Sequence, residues 1–352
     1  MRIGRTVAAV LSGLVVLVGA VALRPAPTPL PETAVGDQAL AERVRAVVGE
    51  ERPAVAVAVV TADGTRTATI GAQPTDRFEI GSISKGLTGL LLAQAIERGE
   101  VTEQTTVGEL LPLEGAPVAD VTLQQLATHT SGLPVQPLSL RQAGKNIWST
   151  LSGANPYDNT LDQELAEVRG LELDARPGTY SNLGFELLGH ALAAAADQPY
   201  PELLRERVLE PLGMSGTTVP TGPAELDGRD LVGQNANGRR MEPWVGEAMA
   251  PAGGVRSDVE DMARLAQALL TEQAPGVEAT RPRVGFDEDR IGWAWITSTT
   301  DDGRTITWHN GGTGGFSSWL GVDREAGTAV VVLSATSASV DGAGLALLEQ
   351  GV

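Results

Sequence analysis

The chain has 352 residues, 42% hydrophobic and 4% aromatic, with 42 Gly, 21 Pro and no Cys, which describes a globular protein able to bury a sizeable core. Its 44 acidic against 26 basic side chains leave a formal charge of −18, the wrong sign for tracking a phosphate backbone, so no nucleic acid partner is expected. Without Cys there is no disulfide, thiolate metal site or cysteine nucleophile, and three His are few for a metal cage, so neither metal nor cofactor is expected.

Residues 1–24 combine Arg2 and Arg5 with an uncharged, mostly apolar run from Thr6 to Leu23, about 18 residues long and just able to span a bilayer. A basic start followed by an apolar stretch is the pattern of a signal peptide or an N-terminal membrane anchor, and Ala20-Val21-Ala22 is a candidate cleavage triplet. An extracytoplasmic protein is expected, secreted or anchored to the membrane by this segment. Residues 25–37 are Pro-rich and read as a linker, leaving 38–352 as one domain. From Asp37, the spacing of Leu40, Val44, Val47 and Val48 predicts a helix. Val55 to Val60 and Thr65 to Ile70, joined through Asp63-Gly64, predict a hairpin. Apolar residues near a 3.6-residue period predict a helix from Ile80 to Ile96. Pro- and Gly-punctuated loops with short helices, among them Glu186 to Ala195 and Glu202 to Val208, fill Glu100 to Glu247. An amphipathic helix from Asp258 to Leu270 follows, with Ser257 or Asp258 as its N-cap. Strands are predicted over Ile291 to Ser298, Thr305 to His309, Phe316 to Val322 and Thr328 to Ser334, before a helix from Asp341 to Leu348. Helix and strands at both ends around a helical middle indicate an α+β domain with a helical insertion over roughly 81–247.

The 26 basic residues are 24 Arg and only two Lys, Lys85 and Lys145. Arg stays charged, whereas Lys gives up its proton when desolvated, so proton-shuttling chemistry calls for a Lys. Lys145 sits in a polar stretch and reads as a solvated surface residue. Lys85 closes Ser82-Ile83-Ser84-Lys85 at the start of a predicted helix, where positions i and i+3 share a face. Ser82 Oγ and Lys85 can then meet, and the unpaired N–H at the helix start is available to a developing oxyanion. The bland reading makes Ser82 a helix cap and leaves Lys85 in solvent.

Tyr-x-Asn occurs twice in a chain with three Tyr. Tyr157-Asp158-Asn159 lies in a turn-rich polar loop and reads as exposed. Tyr180-Ser181-Asn182 follows the turn Pro177-Gly178 and precedes an apolar helix, which could fix the ring beside Lys85 as a base or proton relay. His309-Asn310-Gly311-Gly312 continues a predicted strand, and its glycines permit a ligand to approach the backbone closely. The run lacks the Gly-Lys-Ser/Thr ending of a phosphate loop, so a nucleotide site is not expected. His129 and His190 read as structural hydrogen-bonding residues.

Glu79-Ile80-Gly81-Ser82-Ile83-Ser84-Lys85, Leu126-Ala127-Thr128-His129-Thr130-Ser131-Gly132-Leu133-Pro134, Tyr180-Ser181-Asn182 and His309-Asn310-Gly311 resemble, in order, motifs of the serine β-lactamase and penicillin-binding-protein family. The set is most similar to the branch of class C β-lactamases and D-alanyl-D-alanine carboxypeptidases. Pro211 to Thr217 and Ala252 to Ser257 add to the likeness. The resemblance implies a β-lactamase-like fold, an antiparallel sheet flanked by N- and C-terminal helices. It implies Ser82 as the acylated nucleophile, Lys85 as its proton partner and Tyr180 as general base, although either Lys85 or Tyr180 could take the serine proton. It places Asn182 against Lys85 or a substrate amide, His309 and Gly311 in substrate binding, and the backbone N–H groups of Ser82 and Gly312 in an oxyanion hole. His309 stands where class C β-lactamases carry Lys, which removes a permanent cation from the substrate carboxylate.

The expected function is an extracytoplasmic serine hydrolase forming an acyl-enzyme on Ser82, of D-alanyl-D-alanine carboxypeptidase or D-aminopeptidase type, acting on a small-molecule or peptide substrate. A β-lactamase-fold esterase and a class C-like β-lactamase are the alternatives within the fold. A penicillin or muropeptide sensor that is acylated without turnover is the alternative of another class.

Overall fold

Strand β2 (Val55–Thr61) places the sheet at the centre of the molecule. Side chains alternate across a strand, and here both sets are apolar: Val55, Val57 and Val59 enter one core while Ala56, Ala58 and Val60 enter another. Strand β11 (Thr328–Ser334) repeats this, with Val330 and Val332 on the first face and Ala329, Val331 and Leu333 on the second. A sheet apolar on both faces needs helices on both.

The computed structural model describes residues 25–137, 139–173 and 178–350. The expected signal or anchor in 1–24 and Pro177 of the turn before Tyr180 lie outside them. The other strands are β1 (Ala34–Gly36), β3 (Gly64–Ile70), β4 (Phe78–Glu79), β5 (Arg256–Ser257), β6 (Val284–Phe286), β7 (Asp289–Ile291), β8 (Ile296–Thr299), β9 (Thr305–Gly312) and β10 (Ser317–Asp323). One antiparallel sheet runs β1-β3-β2-β11-β10-β9-β8-β7-β6, and β4 pairs separately with β5. The longer helices are α1 (Gln38–Val48), α2 (Ile83–Glu97), α3 (Leu140–Ser152), α4 (Asn182–Ala195), α5 (Val259–Leu270) and α6 (Asp341–Glu349). Helices α1 and α6, from the two ends of the chain, cover the first face through Leu40, Val44 and Leu347. Helices α2 and α5 cover the second through Ile83, Leu87 and Leu265, and α3 and α4 lie in the region between β4 and β5. No helix among the described residues is long and apolar enough to cross a membrane.

The Asp63-Gly64 hairpin forms as the sequence predicts, and Asp258 caps α5 by accepting the Asp261 N–H at 2.9 Å. Three expectations change. The Pro-rich linker contributes β1 to the sheet, Ala34 pairing with Ile70, because this three-residue edge strand contains no Pro and keeps its N–H groups. The strand expected over Ile291 to Ser298 breaks into β7 and β8, since Ala294 takes φ +69° and the residues between the two strands turn back. The helix expected from Ile80 starts at Ile83, because Ile80 N–H donates to the Val255 carbonyl at 3.1 Å and Gly81 takes φ +51°.

Candidate active site

Ser82 stands where the chain turns from β4 into α2, with no side-chain capping bond. Its Oγ instead accepts a hydrogen bond from Lys85 Nζ at 3.0 Å. Lys85 is fully buried and also donates to the Ala252 carbonyl at 2.7 Å. Two neighbours on α2 pin the same segment: Thr88 Oγ1 donates to the Pro251 carbonyl at 2.8 Å, and Ser84 Oγ accepts the Val255 N–H at 3.2 Å. The first turns of α2 thus hold both the serine and the chain that orients its lysine.

Strand β9 closes the site from the sheet. Its pairing with β8 ends at Trp308, so His309 to Gly312 run on as a free edge. Thr313 N–H donates to the Phe316 carbonyl at 2.9 Å on the β10 side, and alternation along an antiparallel ladder turns the Gly312 N–H to the opposite edge, toward Ser82. A Cβ on Gly81 would lie 2.7 Å from Gly312 N, and one on Gly311 would lie 2.0 Å from the Ile80 carbonyl oxygen. Only glycines let the strand and the serine turn come this close. At Gly312 a Cβ would meet nothing within 4 Å, because that residue faces the open crevice.

Tyr180 is half-buried, with Lys85 Nζ 5.0 Å from its ring centroid. The hydrogen bonds of Lys85 go to Ser82 and Ala252, not to Tyr180 or Asn182. His129 backs the tyrosine: its ring lies 4.5 Å from that of Tyr180, and its Nδ1 accepts the Ser181 N–H at 3.1 Å. Burial, then the charge of Lys85, holds His129 well below the usual histidine range, consistent with an accepting Nδ1. His190 is structural in the expected sense, donating from Nε2 to the Glu247 carbonyl at 3.1 Å. His309 is buried beside Lys85 and is not among the residues lining the crevice. It is 1% exposed, its Nδ1–H donates to the Asn310 carbonyl at 2.6 Å, and Nε2 is buried with no partner. Burial and then Lys85 push its pKa down to about 4, so it is neutral at pH 7.

Two residues read as surface groups belong inside. Tyr157 is half-buried, its ring 4.6 Å from Trp244, and it lines the crevice with Asn182. Burial pushes the phenol upward. The loop reaches the site because Gly246 has no side chain: a Cβ there would lie 1.9 Å from the Tyr157 carbonyl oxygen. Lys145 bonds to Asp158 and donates to Asn159 Oδ1 at 2.6 Å, so it ties that loop to α3 rather than standing in solvent.

Carboxyl groups form a further layer that the sequence reading missed. Glu186, one turn beyond Asn182 on α4, lines the crevice with Ser82, Tyr157, Trp244 and Gly312. Burial, then the nearby Glu164, raises its pKa well above the carboxylate range. The pKa of Glu164 is likewise raised by burial; its Oε1 is buried without a partner, while its Oε2 accepts from Asn159 Nδ2 at 2.8 Å. The available signal was a lone acid in the apolar run Leu183 to Leu192. On the other side, Glu79 Oε1 accepts from Arg256 Nη1 at 2.8 Å and from Trp244 N–H at 2.9 Å, fixing Trp244 over the crevice. A cavity of about 1260 Å³ lies beyond the Tyr157 loop beside His190 and Tyr200, and Ser82 does not line it. Among the described residues, no cluster of three or more His, Cys, Asp or Glu could hold a metal ion.

A serine hydrogen-bonded to a buried lysine, under a free strand edge, is an arrangement suited to acyl transfer. Residues 39–350 match the family model described as Beta-lactamase. Over 284 aligned residues the chain is 30% identical to the D-alanyl-D-alanine-carboxypeptidase/endopeptidase AmpH of Escherichia coli (strain K12), spanning 72% of this chain and 70% of that one. A class C β-lactamase from Rhodobacter sphaeroides superposes with a TM-score of 0.71 at 22% identity, covering 86% of this chain and 95% of that one. A β-lactamase/D-alanine carboxypeptidase from Pseudomonas syringae gives 0.70 at 19% identity, covering 85% and 94%. The chain therefore belongs to the β-lactamase family of serine hydrolases, in the branch shared by class C β-lactamases and D-alanyl-D-alanine carboxypeptidases.

Proposed function

We propose that Ser82 is acylated during turnover and that peptides ending in D-alanine are the leading substrates, processed outside the cytoplasm. The 3.0 Å hydrogen bond between Ser82 Oγ and buried Lys85 Nζ carries this reading. Ser82 Oγ attacks the substrate carbonyl as its proton passes to whichever of Lys85 and Tyr180 serves as base, and the N–H groups of Ser82 and Gly312 receive the oxyanion. The tetrahedral intermediate expels an amine or alcohol that takes the proton back. Water then attacks the Ser82 ester, and the acid product leaves. Asn182 and Tyr157 line the crevice on the side away from β9, where a substrate amide would lie. The 30% identity to a D-alanyl-D-alanine-carboxypeptidase/endopeptidase of Escherichia coli supports the peptidase assignment.

His309 favours a second reading, hydrolysis of uncharged esters. It is neutral and buried, and no Arg or Lys is among the described residues lining the crevice, so a free substrate carboxylate meets no permanent cation there. Parallel turnover of a D-Ala-D-Ala peptide and a short-chain ester by the full chain tests both. Peptide release supports the first reading, and ester release without peptide release supports the second. Equal turnover of either substrate by Ser82→Ala would remove Ser82 as the nucleophile.

A further inference from the structure

Helix α3 is built inside out. Its inner face is polar: Gln142 and Ser149 are buried, Gln142 Nε2 donates to Asn146 Oδ1 at 3.0 Å, and Lys145 bonds to Asp158 and Asn159. Its outer face is apolar, with Leu140 95% exposed and Ile147, Trp148 and Leu151 63%, 63% and 64%. Spacings of 7, 8 and 11 residues from Leu140 place all four on one stripe of an α-helix. Water should select against such a stripe unless something covers it.

The chain's own path indicates what does. The apolar run Thr6 to Leu23 ends two residues before Pro25, and the described chain then passes against Gly238, where a Cβ would lie 2.3 Å from the Ala26 carbonyl carbon. The next residue, Arg239, donates from Nη1 to the Leu151 carbonyl at 2.8 Å, and Gly153 at the end of α3 packs on the Arg240 carbonyl. The described chain thus starts, directly after that apolar run, near the C-terminal end of α3. Charge agrees: in a chain of net charge −18, α3 contains no acid and carries Arg141 with its side chain 48% exposed, and Arg239 and Arg240 adjoin its end. A helix presenting Trp, Ile and Leu beside basic residues has the composition of one lying in a lipid interface.

We propose that the outer face of α3 docks into the headgroup–acyl boundary of a lipid bilayer, beside the point where the N-terminal run enters it. This rests on that run acting as a membrane segment, and is independent of the substrate. Lys145 then connects the docked helix to the Tyr157 loop, so that the crevice is held at a fixed position relative to the lipid surface.

Trp148 makes the test specific, because it is the one exposed Trp of six. The full chain is reconstituted in phosphatidylcholine–phosphatidylglycerol vesicles carrying brominated acyl chains, and Trp quenching is compared with that of Trp148→Phe. Docking predicts strong quenching that Trp148→Phe loses. It also predicts weaker Trp148 quenching in the double variant Ile147→Ser, Leu151→Ser, with turnover of a soluble ester unchanged. Equal quenching in wild type and Trp148→Phe would overturn the proposal. So would failure of the full chain to associate with vesicles, or shielding of Trp148 from iodide by dimerisation without lipid.

Discussion

Replacing His309 by Gln tests whether the fold holds this histidine neutral. The wild-type ring is 1% exposed, with Nδ1–H on the Asn310 carbonyl and Nε2 unpartnered, and its pKa falls from 6.5 to about 4. As pH drops through 6.5 the unfolded chain takes up a proton that the folded chain refuses until about pH 4. The contribution to stability is therefore fully present above pH 6.5 and is lost as pH falls toward 4, a change of about 3 kcal/mol. Gln carries no titrating proton, so wild type should lose that amount relative to His309→Gln across the window, at about 1.4 kcal/mol per pH unit in its steep part. Denaturant unfolding followed by Trp fluorescence at closely spaced pH values measures the difference. A difference independent of pH would refute the neutral, desolvated histidine. A difference of opposite sign would mean that the fold stabilises the imidazolium, and the absence of a cation near the crevice would no longer hold.

Gly81→Ala forces a Cβ to 2.7 Å from Gly312 N at φ +51°, so it should cost about 1–2 kcal/mol of stability and lower kcat about 100-fold by displacing that N–H. Lost stability with wild-type kcat in the same preparation would take Gly312 out of the oxyanion hole. Tyr157→Phe removes a hydroxyl from the crevice lining, and one neutral hydrogen bond to bound substrate corresponds to roughly tenfold in kcat at nearly unchanged stability. Wild-type steady-state kinetics would return Tyr157 to a structural role. Glu186→Gln should leave the unfolding free energy at pH 7 within about 1 kcal/mol, because burial and Glu164 favour the uncharged carboxyl that Gln mimics. A loss above about 3 kcal/mol would mean that a charged Glu186 had been balancing Lys85.

The sequence made Ser82 and Lys85 legible because their pairing is local, three residues apart at a helix start. The hairpin and the Asp258 cap were legible for the same reason. Tyr157 was not, since what brings it to Ser82 is the absence of a side chain at Gly246, far along the chain, and no local pattern encodes that contact. Lys145 was misread because its partners Asp158 and Asn159 follow a loop whose return path is tertiary. The Glu164–Glu186 pair joins two helices in the same way. Helix α3 escaped notice because its amphipathicity is real but reversed, and periodicity alone does not state which face is outside. The motif resemblance implies a substrate position for His309, whereas the burial of its ring beside Lys85 and its contact to the Asn310 carbonyl are tertiary and no spacing encodes them.

The central claim is that Ser82 forms the acyl-enzyme. Its most direct test is the intact mass of the full chain mixed rapidly with penicillin and with a short-chain ester, quenched in acid and digested to locate the adduct. The account predicts the mass of one acyl group, carried on the peptide containing Ser82 and absent from Ser82→Ala. Product release with no adduct at any quench time, or an adduct that persists in Ser82→Ala, would contradict it.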